Sequence, residues 1–146
     1  MGRGPAVAAT EEPFRAKRLV AGKEVEVRES RAGLPTLVVR TSGRTVSLHG
    51  EYDPREPARM WAGEVRAPER GVLVVLGVGL GYHVEELAAR FPQARILAVE
   101  PVRELLDLCG EVLGGQGPFA LPNVTVAGPD DAEAAFLRHV SLLKLQ

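Results

Sequence analysis

The chain has 146 residues, enough for one domain with a substantial core but not for two large ones. Hydrophobic residues make up 45%, charged residues 25%, and the formal net charge is -1, an ordinary soluble globular composition. No basic excess points to nucleic acid or an anionic membrane as partner, and no apolar run approaches the roughly 18 residues of a membrane span.

The lone cysteine, Cys109, cannot form an internal disulfide, which fits a reducing compartment, and a cytoplasmic location is the expectation. Met1–Glu12 lacks the apolar core of a signal peptide, and its Gly, Pro and Ala content reads as a flexible lead-in over residues 1–22. The short basic cluster Arg15, Lys17 and Arg18 reads as a solvated face.

From Lys23 the signals are β. Val25 and Val27 alternate with Glu24, Glu26 and Arg28; Thr36–Val39 follows Pro35, and Ser42–Gly43 separates it from Thr45–Leu48. This predicts a small antiparallel meander over residues 23–53, with a tight turn at Ser42–Gly43. Asp53 can cap a helix whose first position is Pro54, giving a helix and linker over 54–70. Met60 and Trp61 on it are expected to pack between the meander and the next unit.

From Gly71 the pattern becomes β/α alternation. Val72–Leu76 is continuously apolar, as in a central parallel strand buried on both faces. Val84, Leu87, Ala88 and Phe91 form one helical stripe that Pro92 ends. Ile96–Val99 is a second buried strand. The next helix carries Val102, Leu105, Leu106, Cys109, Val112 and Leu113 on one face and stops at Gly114–Gly115. Asn123–Val126 is a third strand. A last helix opens with Asp130 as cap and Glu133 in capping-box position, then carries Phe136, Leu137, Val140 and Leu143. The predicted fold is α/β: a Rossmann-like three-layer parallel sheet of order 3-2-1 over residues 71–146, preceded by the meander. Three units supply half of a doubly wound sheet, so the chain reads as a piece of a longer protein. The open side of Val72–Leu76 would meet the remainder of that chain or a second copy.

The chemistry-bearing constellation is Gly77–Val78–Gly79–Leu80–Gly81, between a strand and a helix. Glycines there allow a tight reversal with positive φ and close approach of a ligand to the backbone. Glu100 ends the next strand, nineteen positions after Gly81, where an acid commonly accepts hydrogen bonds from a ribose diol. Tyr82 stands where the dinucleotide fingerprint needs a small residue, and Glu85 and Glu86 would oppose a pyrophosphate, which argues against NAD or FAD. The G-x-G-x-G form with a downstream acid is that of S-adenosyl-methionine-type nucleoside sites, although the residues fix no cofactor, and the alternative reading is that the glycines only close the turn. The candidate binding residues are therefore Gly77, Gly79, Gly81, Tyr82 as a wall, Glu100, and Asp131, which with Asp130 falls where such sites read an adenine. Asp130 is equally explained as a helix cap. His83 is a solvated first-turn histidine or a proton carrier; His49 and His139 lack metal-spacing partners; Cys109 reads as core. No catalytic triad or carboxylate pair stands out.

Leu48–His49–Gly50–Glu51–Tyr52–Asp53–Pro54–Arg55–Glu56 followed by Val75–Leu76–Gly77–Val78–Gly79–Leu80–Gly81–Tyr82–His83 resembles the N-terminal region of motility-associated factor glycosyltransferases. In that family a Tyr-Asp-Pro segment precedes a G-x-G-x-G-Tyr-His turn and a strand ending in Glu-Pro, here Glu100–Pro101. The resemblance covers about residues 46–108. It implies a non-catalytic accessory domain of a bacterial enzyme that transfers sialic-acid-like sugars to flagellin, whose Gly-Pro-Ser-Leu-type motif has no match here. More loosely, Gly77, Gly79, Gly81 and Glu100 are similar to the turn of class I methyltransferases and of aminopropyltransferases related to spermidine synthase. The latter also have a small N-terminal β region, and they imply S-adenosyl-methionine or its decarboxylated form as ligand. A third reading is a protein-assembly module that uses the open sheet edge.

Overall fold

The computed structural model describes residues 16–143. Met1–Glu12, Arg15 and the segment after Leu143, on which some sequence expectations fall, lie outside them.

Four strands form the antiparallel meander: β1 (Lys17–Val20), β2 (Lys23–Glu29), β3 (Pro35–Thr41) and β4 (Arg44–Ser47), in spatial order β1-β2-β3-β4. Both outer hairpins turn through two left-handed residues, Ala21–Gly22 (φ 50° and 79°) and Ser42–Gly43 (φ 46° and 76°). Positive φ at both central positions matches the twist of the flanking strands and fixes the register. Strand β1 lies inside the segment expected as lead-in. Its four residues KRLV show no usable alternation, and the hairpin at Ala21–Gly22 is what lays them against β2, Lys17 opposite Glu26. Arg18 there is paired with Glu111 rather than merely solvated.

Helix α1 (Arg55–Glu64) begins one residue later than the sequence suggested, so Pro54 takes the N-cap place expected of Asp53, whose Oδ1 accepts from the Arg55 N–H at 3.0 Å from just before it. Then come β5 (Val72–Leu76), α2 (Tyr82–Arg90), β6 (Arg95–Val99), α3 (Arg103–Leu113), a 3-10 turn (Gly117–Ala120), β7 (Val124–Ala127) and α4 (Ala132–Leu143). The parallel sheet has the order β5-β6-β7, with Leu73 beside Ile96 and Ile96 beside Val124. Successive residues of a strand face opposite sides. Ile96 and Ala98 accordingly join Ala62, Val84 and Leu87 of α1 and α2, while Leu97 joins Ala135 of α4. Helices therefore lie on both faces, and the unit is a Rossmann-like three-layer α/β arrangement.

Three expectations are corrected by the packing. Val72–Leu76 is not buried on both faces. It is an edge strand, and Val74 and Leu76 are 45% and 80% exposed because α4 covers β6 and β7 rather than β5. Met60 and Trp61 are exposed; Ala58 and Ala62 make the contacts expected of them, Ala58 toward the meander and Ala62 toward the sheet. On α4, Phe136 and Leu137 face outward, and Ala135 and His139 are the buried pair. The apolar face of α3, with Leu108 and Cys109 fully buried, packs on Val20, Val25, Val27 and Leu37 of the meander, so α3 joins the two sheets into one body.

Candidate functional site

The glycine turn sits at the carboxyl end of β5, where ligands bind in open α/β sheets. Gly77, Gly79 and Gly81 all have left-handed φ (89°, 54° and 75°), which a side chain adopts only with strain. Close approach adds to this at two of them. A Cβ on Gly79 would stand 2.7 Å from His49 Nε2, and one on Gly81 would stand 2.2 Å from Pro118 Cγ. The space that glycine opens is thus filled by the chain itself, by His49 from the β4–α1 loop and by Pro118 from the 3-10 turn.

The backbone donors of the turn are equally engaged. Gly77 N–H donates to the Val99 carbonyl (2.8 Å) and Gly81 N–H to that of Val78 (2.8 Å). Val78 and Gly79 N–H both donate to Glu100 Oε1 (3.1 and 3.0 Å), and Leu80 N–H donates to His49 Nε2 (3.2 Å). Glu100, 3% exposed, also accepts from the Val102 N–H through Oε2 at 3.1 Å. A carboxylate oxygen has two acceptor directions, so Oε1 is saturated and Oε2 keeps one. The first task of Glu100 is to brace the turn against the end of β6.

Histidines complete the brace. For Leu80 N–H to donate, Nε2 of His49 must carry a lone pair, and burial pushes the His49 pKa down to about 4, which keeps the ring neutral. Nε2 of His83 lies 2.8 Å from the Gly77 carbonyl and donates to it, tying the first turn of α2 back to the glycines. Tyr82, expected as a ligand wall, is 7% exposed; its hydroxyl donates to the Pro35 carbonyl at 2.5 Å, bolting α2 to β3. Burial pushes that phenol up to about 12. The His49 and Tyr82 rings meet edge to face at 5.5 Å, as do Trp61 and His83 at 5.4 Å.

Asp131 lies apart from this cluster, at the end of β7. Its Oδ1 accepts from the Gly128 N–H at 2.8 Å, and its backbone carbonyl accepts from the Ala135 N–H as α4 begins. Asp130 does not make the expected capping box: its carboxylate takes a 2.9 Å hydrogen bond from Arg103, whose guanidinium lies over Gly128. His49 lies in the Leu48–Glu56 segment that carries the family resemblance, whereas no local pattern marked Pro118 or Arg103, each of which arrives from a distant element.

Beside the turn, a groove of about 680 Å³ runs along the free edge of β5 under α1. Its walls include Val74, Leu76, Trp61, His49, Tyr82 and His83. Burial raises the pKa of Glu85 in the first turn of α2, and Glu86 adds to the rise. Among the described residues, no helix is long and apolar enough to cross a membrane.

No family model matches the chain, and no curated protein matches it. Solved structures do. A probable spermidine synthase from Corynebacterium glutamicum superposes with a TM-score of 0.51 at 18% identity, over 84% of this chain and 47% of its own. Spermidine synthase from Thermotoga maritima gives 0.51 at 15% identity, over 82% of this chain and 41% of its own. The chain thus spans less than half the length of each, and the likeness is one of fold: a small antiparallel sheet joined to a Rossmann-like unit.

Proposed function

We propose that this chain is the nucleoside-binding part of a small-molecule transferase of the S-adenosyl-methionine type, built like the spermidine synthases it superposes on. The observation that carries the reading is the placement of Glu100 at the end of β6, reaching under the glycine turn of β5 with one acceptor direction of Oε2 left over. That is the arrangement in which an acid both shapes the turn and meets a ribose hydroxyl. In a transfer from a sulfonium nucleoside, a nucleophile attacks the carbon on sulfur, and the C–S electron pair leaves with sulfur as a neutral thioether. The part of this chain is to hold and orient the nucleoside. The aminopropyl- or methyltransferase reading gains from the fold neighbours, whereas the glycosyltransferase resemblance finds no counterpart in those two structures.

The test is calorimetric titration of the folded chain with S-adenosyl-methionine and with its decarboxylated form. Saturable heat is expected from at least one of them. Glu100→Gln, checked for folding by circular dichroism, is expected to bind about tenfold more weakly. No heat from the folded chain, or equal affinity in the variant, would rule against the reading.

Among the described residues no strand pairs with the outer edge of β5, and Leu76 there is 80% exposed, which favours a second reading as an assembly module. In that case the edge pairs with a second copy or with further chain.

A further inference from the structure

The outer edge of β5 sets a row of backbone groups beside an apolar groove. Gly77 N–H donates to the Val99 carbonyl, and the Gly71 carbonyl accepts from the Arg95 N–H, both toward β6. Residues of a strand bond to alternate sides, so Leu73 and Val75 also face β6. Val72, Val74 and Leu76 turn their N–H and C=O groups outward, where among the described residues no strand lies. The groove there has Trp61 and Val65 on its α1 side and Leu48 among its walls, and no acidic residue, lysine or arginine lines it. Donors and acceptors in a row beside apolar walls fit an extended, uncharged segment. A second copy fits less well. Paired across a two-fold it would run antiparallel with like faces on one side, and its own α1 would meet this α1 over the groove.

We propose that the chain's own segment Ala6–Thr10, which lies outside the described residues, docks in this groove along the outer edge of β5. Ala6–Val7–Ala8–Ala9–Thr10 is an uncharged run of the same length as β5, and Pro5 and Pro13 stand on either side of it. Lys144–Gln146 is too short for the same task. The tether has the required reach. The Ala16 carbonyl accepts from Val27 N–H, Val27 stands opposite Leu37, and the Leu37 carbonyl accepts from Leu48 N–H. Three strand spacings, about 14 Å, therefore separate Ala16 from Leu48, a wall of the groove. Between Thr10 and Ala16 the chain spans up to about 20 Å. Closing so short a loop costs little entropy. The tether arrives where Leu48 and His49 meet the carboxyl end of β5, so the segment runs parallel to that strand. The inference does not depend on the nucleoside reading, and it gives the bare edge an occupant other than a second copy.

Two probes read the edge directly. In the 146-residue chain the Val74 and Leu76 amides are expected to exchange at least about tenfold more slowly than in a chain lacking residues 2–10, while the Val75 amide, which faces β6, keeps its rate. Trp61, the sole tryptophan, lines the groove, and its emission is expected to shift to the red on the same deletion. Ala8→Pro keeps the full length but removes one N–H from the segment, and it is expected to reproduce both changes. It also decides the matter should the shortened chain aggregate through its bared edge. Val74 and Leu76 amides that exchange as fast in the full chain as in both variants overturn the proposal, and so does protection that both variants retain. Protection that vanishes on dilution together with a sedimenting dimer assigns the edge to a second copy and overturns it as well. Each of these outcomes leaves the nucleoside reading untouched.

Discussion

The glycine turn and the outer edge of β5 are adjacent along the chain and opposite in physical character. In the turn every backbone donor has a partner within the molecule, Glu100 is 3% exposed, and Val78 and Leu80 are each 1% exposed. One residue earlier, Leu76 is 80% exposed, and Val74 before it is 45% exposed. A buried polar loop is tolerated only when its backbone groups are paired, and an exposed apolar edge persists only when something else covers it. The turn is complete as a structural unit, and among the described residues the strand that leads into it has a bare flank.

If the turn is closely filled by its own chain, the largest effect should come from crowding it. Gly81→Ala is expected to lower stability by about 3–4 kcal/mol, because the new methyl meets Pro118 and the left-handed φ of 75° is strained. Gly77→Ala has a similar φ of 89° but nothing within 4 Å, and should cost about 1 kcal/mol. Thermal melts of the two variants measure the difference; equal losses would show that the contact with Pro118 does not matter.

A smaller effect comes from acid. The His49 pKa of about 4 lies below the ordinary histidine value of 6.5, so the fold favours the neutral ring. Its contribution is fully present above pH 6.5 and is lost as pH falls toward 4. Burial dominates the shift and His83 adds to it, while Tyr82 stays neutral throughout this window. Denaturant titrations should lose about 3 kcal/mol between pH 7 and pH 4 from this group, and His49→Gln should flatten that part of the profile. An unchanged profile in the variant would mean that the ring is not held neutral.

The least effect on stability is expected at the edge. Leu76→Lys should change it by less than about 0.5 kcal/mol, since the side chain is already in solvent. If the edge pairs copies of the chain, the same variant should shift sedimentation from dimer to monomer. A wild-type chain that stays monomeric at high concentration would remove the self-assembly reading.

Much of this was legible in the sequence because local signals were strong. The alternation of Val25 and Val27 and the switch at Gly71 to strand–turn–helix follow from periodicity alone, and so does the helical stripe from Val84 to Phe91. What escaped depended on distant partners. Strand β1 needed the Ala21–Gly22 hairpin, and the exposure of Val74 and Leu76 depended on where α4 settled. At the site, the glycines and Glu100 were visible as a pattern, but the partners of that pattern were not. His49 stands in the Leu48–Glu56 segment already set apart, but its partner Leu80 lies thirty-one residues on, and Pro118 lies thirty-seven after Gly81, so no local spacing could announce either contact. The place of Tyr82 at the mouth of the turn suggests a ligand wall, yet its hydroxyl is spent on Pro35, across the boundary between the two sheets.

The contrast between turn and edge can be measured residue by residue through native-state amide hydrogen exchange. The amides of Val78, Gly79 and Leu80 should be protected to the level of the β6 core, because Glu100 and His49 hold them. Exchange of these three amides as fast as that of the exposed hairpin turn at Ser42–Gly43 would contradict the account.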